Sequence, residues 1–194
     1  TFCDQLLTSD AAASPLPWQI NIDAAAATGS SRGVKISDLS ADESGLSLHV
    51  TETSAANLAP PTDAALPPQL QFLRDTLVIE KLRPGRYRLT VDGAPVVTAD
   101  EKAWSEGVAI DSSPAHKAAE AYRVAVNDKN LQFTYSWKAL NQVHIVGERK
   151  TSPSGKELPK EIIEFNNLAN QRDSALRNGV ELKTRHWRVT RVEE

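Results

Sequence analysis

A serine lies between two glycines in the run Gly29-Ser30-Ser31-Arg32-Gly33, which matches the G-x-S-x-G pattern of a serine nucleophile. That chemistry needs a strand that turns sharply into a helix, so that the serine hydroxyl lies beside oxyanion-binding N–H groups. Here small residues precede the pattern, and Val34-Lys35-Ile36 after it is typical of a strand. Because a hairpin turn explains the glycines and serines equally well, the flanks favour a turn over a catalytic Ser31.

Histidines and carboxylates are the next candidates for catalysis or metal binding. The four histidines are His49, His116, His144 and His186. No two of them lie four residues apart, as metal ligands on one helix face do, and the single cysteine, Cys3, is distant in sequence. We therefore predict structural or solvated histidines, with no metal site and no cofactor site. The carboxylates indicate no catalytic pair, because such a pair is recognised by its geometry.

Tryptophans are the remaining candidates for binding. The chain contains four of them, Trp18, Trp104, Trp137 and Trp187. Exposed rings of this kind can stack on sugars, but aromatic residues at such wide spacing more often pack in a core. The first interpretation is therefore a core role, and a carbohydrate-binding surface is the alternative.

Composition limits the classes of protein to which the chain can belong. It has 194 residues, of which 40% are hydrophobic and 24% charged, as in folded domains. The net charge of −3 and the scattered basic residues argue against nucleic acid as a partner. No apolar run reaches the ~18–20 residues of a membrane span, and no signal-peptide pattern occurs. The chain begins at Thr1 and contains no methionine, so we expect residues 1–14 to be the end of a helix from an upstream domain.

Hydrophobic periodicity predicts a β-rich segment over residues 15–111. Apolar residues alternate along 18–22, 46–50 and 87–91, which is the period of half-buried strands. Asp92-Gly93 is a strong hairpin signal, and it precedes a short helix that begins at Thr98 or Asp100 and ends at Gly107. The proline-rich run 59–68 predicts an irregular loop.

The remainder, residues 112–194, predicts a helical hairpin and a C-terminal tail. Ser113-Pro114 is a typical helix start, and apolar residues recur at helical spacing to about Val146, with a kink or break at 127–130. A polar connection over 147–159 leads to a second helix that is closed by Gly179. The predicted fold class is α+β, a small antiparallel β-sheet followed by a long helical hairpin.

One stretch carries a family resemblance. Residues 82–93 read L-x-x-G-x-Y-x-L-x-V-D-G, and they are followed by Thr98-Ala99-Asp100-Glu101 and then Gly107-Val108. This order resembles a segment that follows the catalytic domain in a branch of the SGNH/GDSL hydrolases. The earlier β segments and the closing helices are similar to those proteins in pattern only.

The resemblance implies an ester hydrolase as the parent protein. In that family a serine in a Gly-Asp-Ser block is the nucleophile, a glycine and an asparagine help to bind the oxyanion, and a late Asp-x-x-His supplies the base. This chain has no Gly-Asp-Ser, and no histidine has an aspartate three residues before it. The resemblance therefore implies that the chain is inactive alone and packs on a missing α/β catalytic domain.

The implied partners are that upstream SGNH domain and the parent's ester substrate, such as an acylated carbohydrate. An extracytoplasmic location, periplasmic or secreted, would follow from the resemblance. We also hypothesise that the proline-rich loop or the Asp92-Gly93 hairpin borders the substrate cleft. The competing interpretations are a non-catalytic carbohydrate-binding or interaction module and, as a third, an enzyme whose nucleophile is Ser31.

Overall fold

The computed structural model describes residues 17–58, 74–141 and 151–192. Within these residues, nine strands form two sheets and three helices are present. In chain order the elements are β1 Gln19–Asp23, β2 Thr28–Arg32, β3 Val34–Asp42, β4 Gly45–Glu52, β5 Thr76–Glu80, β6 Arg86–Val91, β7 Ala94–Asp100, α1 Glu101–Glu106, β8 Val108–Ala109, α2 Pro114–Asn141, α3 Pro153–Leu176 and β9 Thr184–Val192. The predicted α+β class is confirmed.

The larger sheet has five strands in the order β3-β4-β9-β6-β7, all antiparallel. Its central strand is β9, at the end of the chain, which the sequence analysis had placed in the C-terminal tail. Arg185, Trp187 and Val189 of β9 are buried, while the residues between them are partly or fully exposed. The last strand therefore joins β4 to β6 and completes the sheet.

The smaller sheet has four strands in the order β2-β1-β5-β8 and includes one parallel pair, β1 with β5. We expected antiparallel pairing throughout. The parallel pair forms because the chain passes through β2, β3 and β4 before it returns beside β1, and a parallel pair needs such a crossover. Ile20 and Ile22 of β1 and Leu77 and Ile79 of β5 are almost completely buried, whereas the residues between them are not, so one face of this pair packs in the core.

Two predicted local structures are confirmed. Asp92 and Gly93 both have positive φ, +50° and +79°, as the tight turn between β6 and β7 requires. Asp100 precedes α1, and its side chain accepts the backbone N–H of Ala103 at 2.8 Å. Gly107 ends α1 with a φ of +106°.

The chain divides into two compact units, and residues 120–180 form the second of them. Within this unit the start of α2 lies beside the end of α3: the Tyr122 hydroxyl donates to the carbonyl of Leu176, the last residue of α3. The two helices therefore run antiparallel. An ion pair between Lys129 and Asp173 (3.2 Å) and a ring contact between Tyr135 and Phe165 continue the pairing along the helices. The predicted helical hairpin is confirmed.

Two details of the helical prediction were wrong. Of the two alternatives predicted for 127–130, a break is contradicted, because α2 continues through all four residues. The second helix begins at Pro153, within the segment predicted as a polar connection, because the Ser152 side chain caps it by accepting the N–H of Gly155. Three expectations fall outside the described residues, namely the helix end at 1–14, the proline-rich loop over 59–68 and His144.

Candidate functional site

A serine, a histidine and an aspartate meet in the interior of the first unit. The Ser113 hydroxyl lies 2.7 Å from Nδ1 of His116, and Asp75 Oδ2 lies 3.1 Å from Nε2 of the same ring. Ser113 immediately precedes α2, His116 is in the first turn of α2, and Asp75 precedes β5. Although Asp75 Oδ2 is this close, Nε2 makes no hydrogen bond with the described residues.

These are the residue types of a hydrolytic triad, but their environment does not suit one. Ser113, Asp75 and His116 are 0%, 1% and 2% exposed, so no substrate can reach the hydroxyl. The serine also contacts Nδ1 and the aspartate Nε2, the reverse of the arrangement in serine proteases. We assign the cluster a structural role.

Asp75 shows what that role is. Its carboxylate accepts the backbone N–H of Trp18 at 2.8 Å and both the backbone and the side-chain N–H of Asn57, at 2.9 and 3.1 Å. The Trp18 ring in turn meets the His116 ring edge-on, at a centroid distance of 5.8 Å. Asp75 thus joins the segments before β1 and after β4 to the start of α2.

Ser31 does not lie at a nucleophile elbow. It lies in β2, and its hydroxyl donates to the backbone carbonyl of Val34 at 2.9 Å. β2 pairs with β1 and is followed directly by β3, so this strand does not lead into a helix as the strand of a nucleophile elbow does. The local structure therefore contradicts the strand-to-helix turn that a catalytic Ser31 of that type needs.

Three of the four tryptophans are core residues, as the first interpretation predicted. Trp18, Trp104 and Trp187 are at most 1% exposed and cannot stack on a sugar. Trp137, on α2, is 55% exposed, and Phe133, one helical turn earlier, is 59% exposed. Any aromatic binding surface in the described residues is therefore confined to the helical unit.

Behind the Asp92-Gly93 hairpin lies an ion-pair network. The Arg185 guanidinium contacts Glu52, which is 6% exposed, and reaches Asp92 Oδ2 at 3.1 Å. Asp92 Oδ1 also accepts the backbone N–H of His186 at 2.9 Å. The turn is thus tied to β9 through its own aspartate, while residues 93 and 95 stay exposed.

Three polar side chains, which no sequence pattern predicted as a group, meet on the outer face of the five-stranded sheet. His49 of β4 and His186 of β9 are direct cross-strand partners, with ring centroids 5.2 Å apart and planes tilted by 44°. Asp38 Oδ2 lies 3.1 Å from His49 Nδ1. Their wide separation in the sequence left no spacing signal. No group of three or more potential metal ligands surrounds one point in residues 17–58, 74–141 and 151–192.

Surface depressions add little chemistry. One of about 370 Å³ includes Lys81 and Arg83, which already pair with Asp23 and Glu43 respectively. A second, of about 200 Å³, includes Asp42, whose pKa is lowered chiefly by a hydrogen bond from the Ser44 hydroxyl. The Ser44 hydroxyl donates to Asp42 at 2.6 Å, and among the described residues no histidine lines either of these two depressions. Separately, no helix in the described ranges has the length and hydrophobicity needed to cross a bilayer.

Comparison with known proteins gives one structural relationship. No family model and no curated protein matches the sequence. Among solved structures, the chain is similar to one described as a gut microbial diltiazem-metabolizing enzyme, with a TM-score of 0.67 and 12% sequence identity. The match covers 96% of this chain and 52% of that chain, so this chain spans about half the length of its neighbour. At such low identity the likeness establishes the fold alone.

Proposed function

We propose that the chain is the C-terminal accessory portion of an SGNH/GDSL-type ester hydrolase and is inactive by itself. The observation that carries the proposal is that nearly the whole chain, 96%, corresponds to about half of a longer enzyme. The fold of this chain therefore occurs as one part of a longer enzyme, as the proposal requires. The motif over residues 82–93 supplies the choice of family.

The environment of the candidate catalytic residues supports the same proposal. The Ser–His–Asp cluster is buried, and Ser31 is fixed in a strand by its bond to Val34. In the part of the chain that the structure describes, neither serine has the exposure and neighbours that ester hydrolysis needs. The nucleophile would therefore come from the partner domain.

The contribution of this chain would be a rigid turn at the substrate cleft. Asp92 and Gly93 form an exposed turn, Pro95 just after it is also exposed, and Asp92 is held by Arg185 and by the His186 N–H. Loops on rigid scaffolds often carry specificity. Trp104 has no such role, because it is completely buried and its indole N–H donates to the Tyr87 carbonyl.

The test begins with the coding sequence upstream of Thr1. We expect an in-frame extension with a Gly-Asp-Ser block and a final Asp-x-x-His, and esterase activity only in the longer protein. In that protein, Gly93→Ser and Pro95→Ala should each change the ratio of the kcat/KM values for a small and a large acyl substrate. Ser31→Ala should leave this ratio unchanged. Ester turnover by the 194-residue chain alone, or an upstream region without these blocks, would contradict the proposal.

A carbohydrate-binding module is the second candidate, favoured by the exposed pair Phe133 and Trp137 one turn apart on α2. Retention of the isolated chain on a polysaccharide column would support it, provided that Trp137→Ala abolishes the retention. Leu182→Ala is the control, because Leu182 is also exposed (45%) but lies outside residues 120–180, the helical unit. Equal retention of both variants would argue against sugar stacking.

A further inference from the structure

The His49–His186 pair has the spacing of two ligands on one metal ion. Zinc–nitrogen distances of ~2.1 Å and a tetrahedral angle of ~109° place the centroids of two ligating imidazoles ~5 Å apart. The observed centroid distance is 5.2 Å. Imidazole nitrogens are common ligands of Zn²⁺, so the spacing of this cross-strand pair suits that ion.

Asp38 has the position of a residue that orients a metal-binding histidine. Metal-ligating histidines usually donate their second ring N–H to a carboxylate or carbonyl, which fixes the tautomer. Asp38 Oδ2 lies 3.1 Å from Nδ1 of His49, so Nδ1–H can donate to this carboxylate and Nε2 is the nitrogen that would bind an ion. The His49 side chain is 44% exposed, so an ion can reach it.

The backbone of β3 is distorted where it places this aspartate. Ser37 is the direct partner of His49, so the next residue of a regular strand would point to the opposite face. The pairing shifts between Ser37 and Ser40, and Asp38 has a φ of +51°. Such bulges often occur where a side chain must be re-aimed. Here the bulge turns Asp38 towards His49.

We infer that His49 and His186 form a two-histidine Zn²⁺ site, with Asp38 as a positioning residue and water as the remaining ligands. The described residues supply no third ligand, so the ion would exchange readily. Because β4 lies before the helical unit and β9 after it, a shared ion would fasten the last strand to the sheet. This inference is independent of the proposed hydrolase.

Calorimetric titration of the 194-residue chain with ZnCl₂ tests the site. We expect one equivalent to bind, a higher Tm with Zn²⁺, and no response to MgCl₂. His49→Ala and His186→Ala should each weaken binding at least tenfold. Cys3→Ser, His144→Ala and Thr51→Ala should leave binding unchanged; Thr51 lies on the same outer face, beside Thr184. The Tm without metal establishes that each variant is folded.

The role of Asp38 is tested by Asp38→Asn, which should weaken Zn²⁺ binding ~10-fold or more while one equivalent still binds. Visible absorption of Co²⁺ in place of Zn²⁺ should keep its tetrahedral bands in this variant and lose them in His186→Ala. Unchanged affinity in Asp38→Asn would overturn the positioning role. Unchanged affinity in both histidine variants, or no binding by the unaltered chain, would overturn the site.

Discussion

The Arg185 guanidinium lies between two carboxylates, although only 9% of the residue is exposed. Burial by itself lowers the pKa of Arg185, but hydrogen bonds from its guanidinium to Glu52 and Asp92 outweigh that effect and raise it. The arginine therefore stays charged, and its positive charge compensates the buried carboxylate of Glu52. Glu52 has a further partner in the backbone N–H of Lys183, at 3.1 Å.

Removal of this arginine should be strongly destabilising. In Arg185→Met the methionine fills much of the space but leaves Glu52 as a buried charge with no cation, which costs about 3–5 kcal/mol. Urea unfolding followed by tryptophan fluorescence measures the loss. Arg188→Met, at an exposed position of the same strand, is the control and should change stability by less than about 0.5 kcal/mol. Equal effects of the two substitutions would contradict the assigned role of Arg185.

Asp23 gives a pH dependence of known sign. A hydrogen bond from Lys81, followed by the backbone N–H of Ala26, lowers the pKa of Asp23 below its ordinary value of 3.8. A carboxyl whose pKa is lower in the folded state stabilises the fold above the unfolded value, and this stability is lost as the pH falls through the folded pKa. Acid should therefore remove the Asp23 contribution.

We expect Asp23→Asn to lower the Tm near neutral pH and to converge with the unaltered protein as the pH falls below ~3.8. The asparagine keeps an acceptor for the N–H groups of Ala25 and Ala26, so the comparison isolates the charge facing Lys81. Thermal melts at several values between pH 7 and pH 2.5 measure the difference. A Tm difference that stays constant over this range would show that the ion pair contributes nothing.

Two glycines at the ends of strands differ in what surrounds them. Gly45 begins β4 with a φ of +147°, and a Cβ there would overlap the carbonyl oxygen of Val189 in β9. Gly93, in the β6–β7 turn, has a φ of +79° and no atom within 4 Å of the position of its Cβ. Only the first position combines an unfavourable φ with a close approach of another backbone.

Gly93→Ala should therefore cost only about 1 kcal/mol, which is the penalty of its backbone conformation. Gly45→Ala should cost more than about 3 kcal/mol, because β9 must move away from β4 to admit the methyl group. Chemical denaturation of both variants gives the two losses directly. Similar losses would mean that the β4–β9 contact tolerates displacement.

Helix starts were predictable where no stronger signal opposed them. Ser113-Pro114 was correctly predicted as a helix start, whereas Ser152-Pro153, which has the same chemistry, lies in the segment predicted as a polar connection. A proline inside a helix usually breaks or kinks it, so Pro159 is a local signal against a helix over this segment. In the structure α3 passes through Pro159.

For the molecule as a whole, the sequence predicted the class of fold but not its closing strand. Residues 184–192 do alternate, but the inward positions begin with Arg185, and a charged residue at a core position obscures the pattern. Its buried partner Glu52 lies far away in the sequence. The His49–His186 pair was missed for the same reason, since only the pairing of β4 with β9 brings the two rings together.

Because β9 is central, the order of the sheet makes the end of the chain essential to its first compact unit. Deletion of residues 181–194 would leave β4 and β6 with no common neighbour and expose Leu48 and Leu89, which are buried now. It would also leave Glu52 without Arg185. We expect the chain ending at residue 180 to lose cooperative unfolding, as followed by near-ultraviolet circular dichroism of the core tryptophans.

The deletion can be tested further by adding the missing strand back as a peptide. A synthetic peptide of residues 181–194 should restore the tryptophan signal when added to the shortened chain, whereas a peptide with Trp187→Ser should not, because Trp187 is 1% exposed in the core. Helical content from α2 and α3 serves as an internal reference, since both helices lie before the deletion. A shortened chain that unfolds cooperatively with its near-ultraviolet signal intact would mean that β4 and β6 pair without β9, and that the sheet order permits a second arrangement.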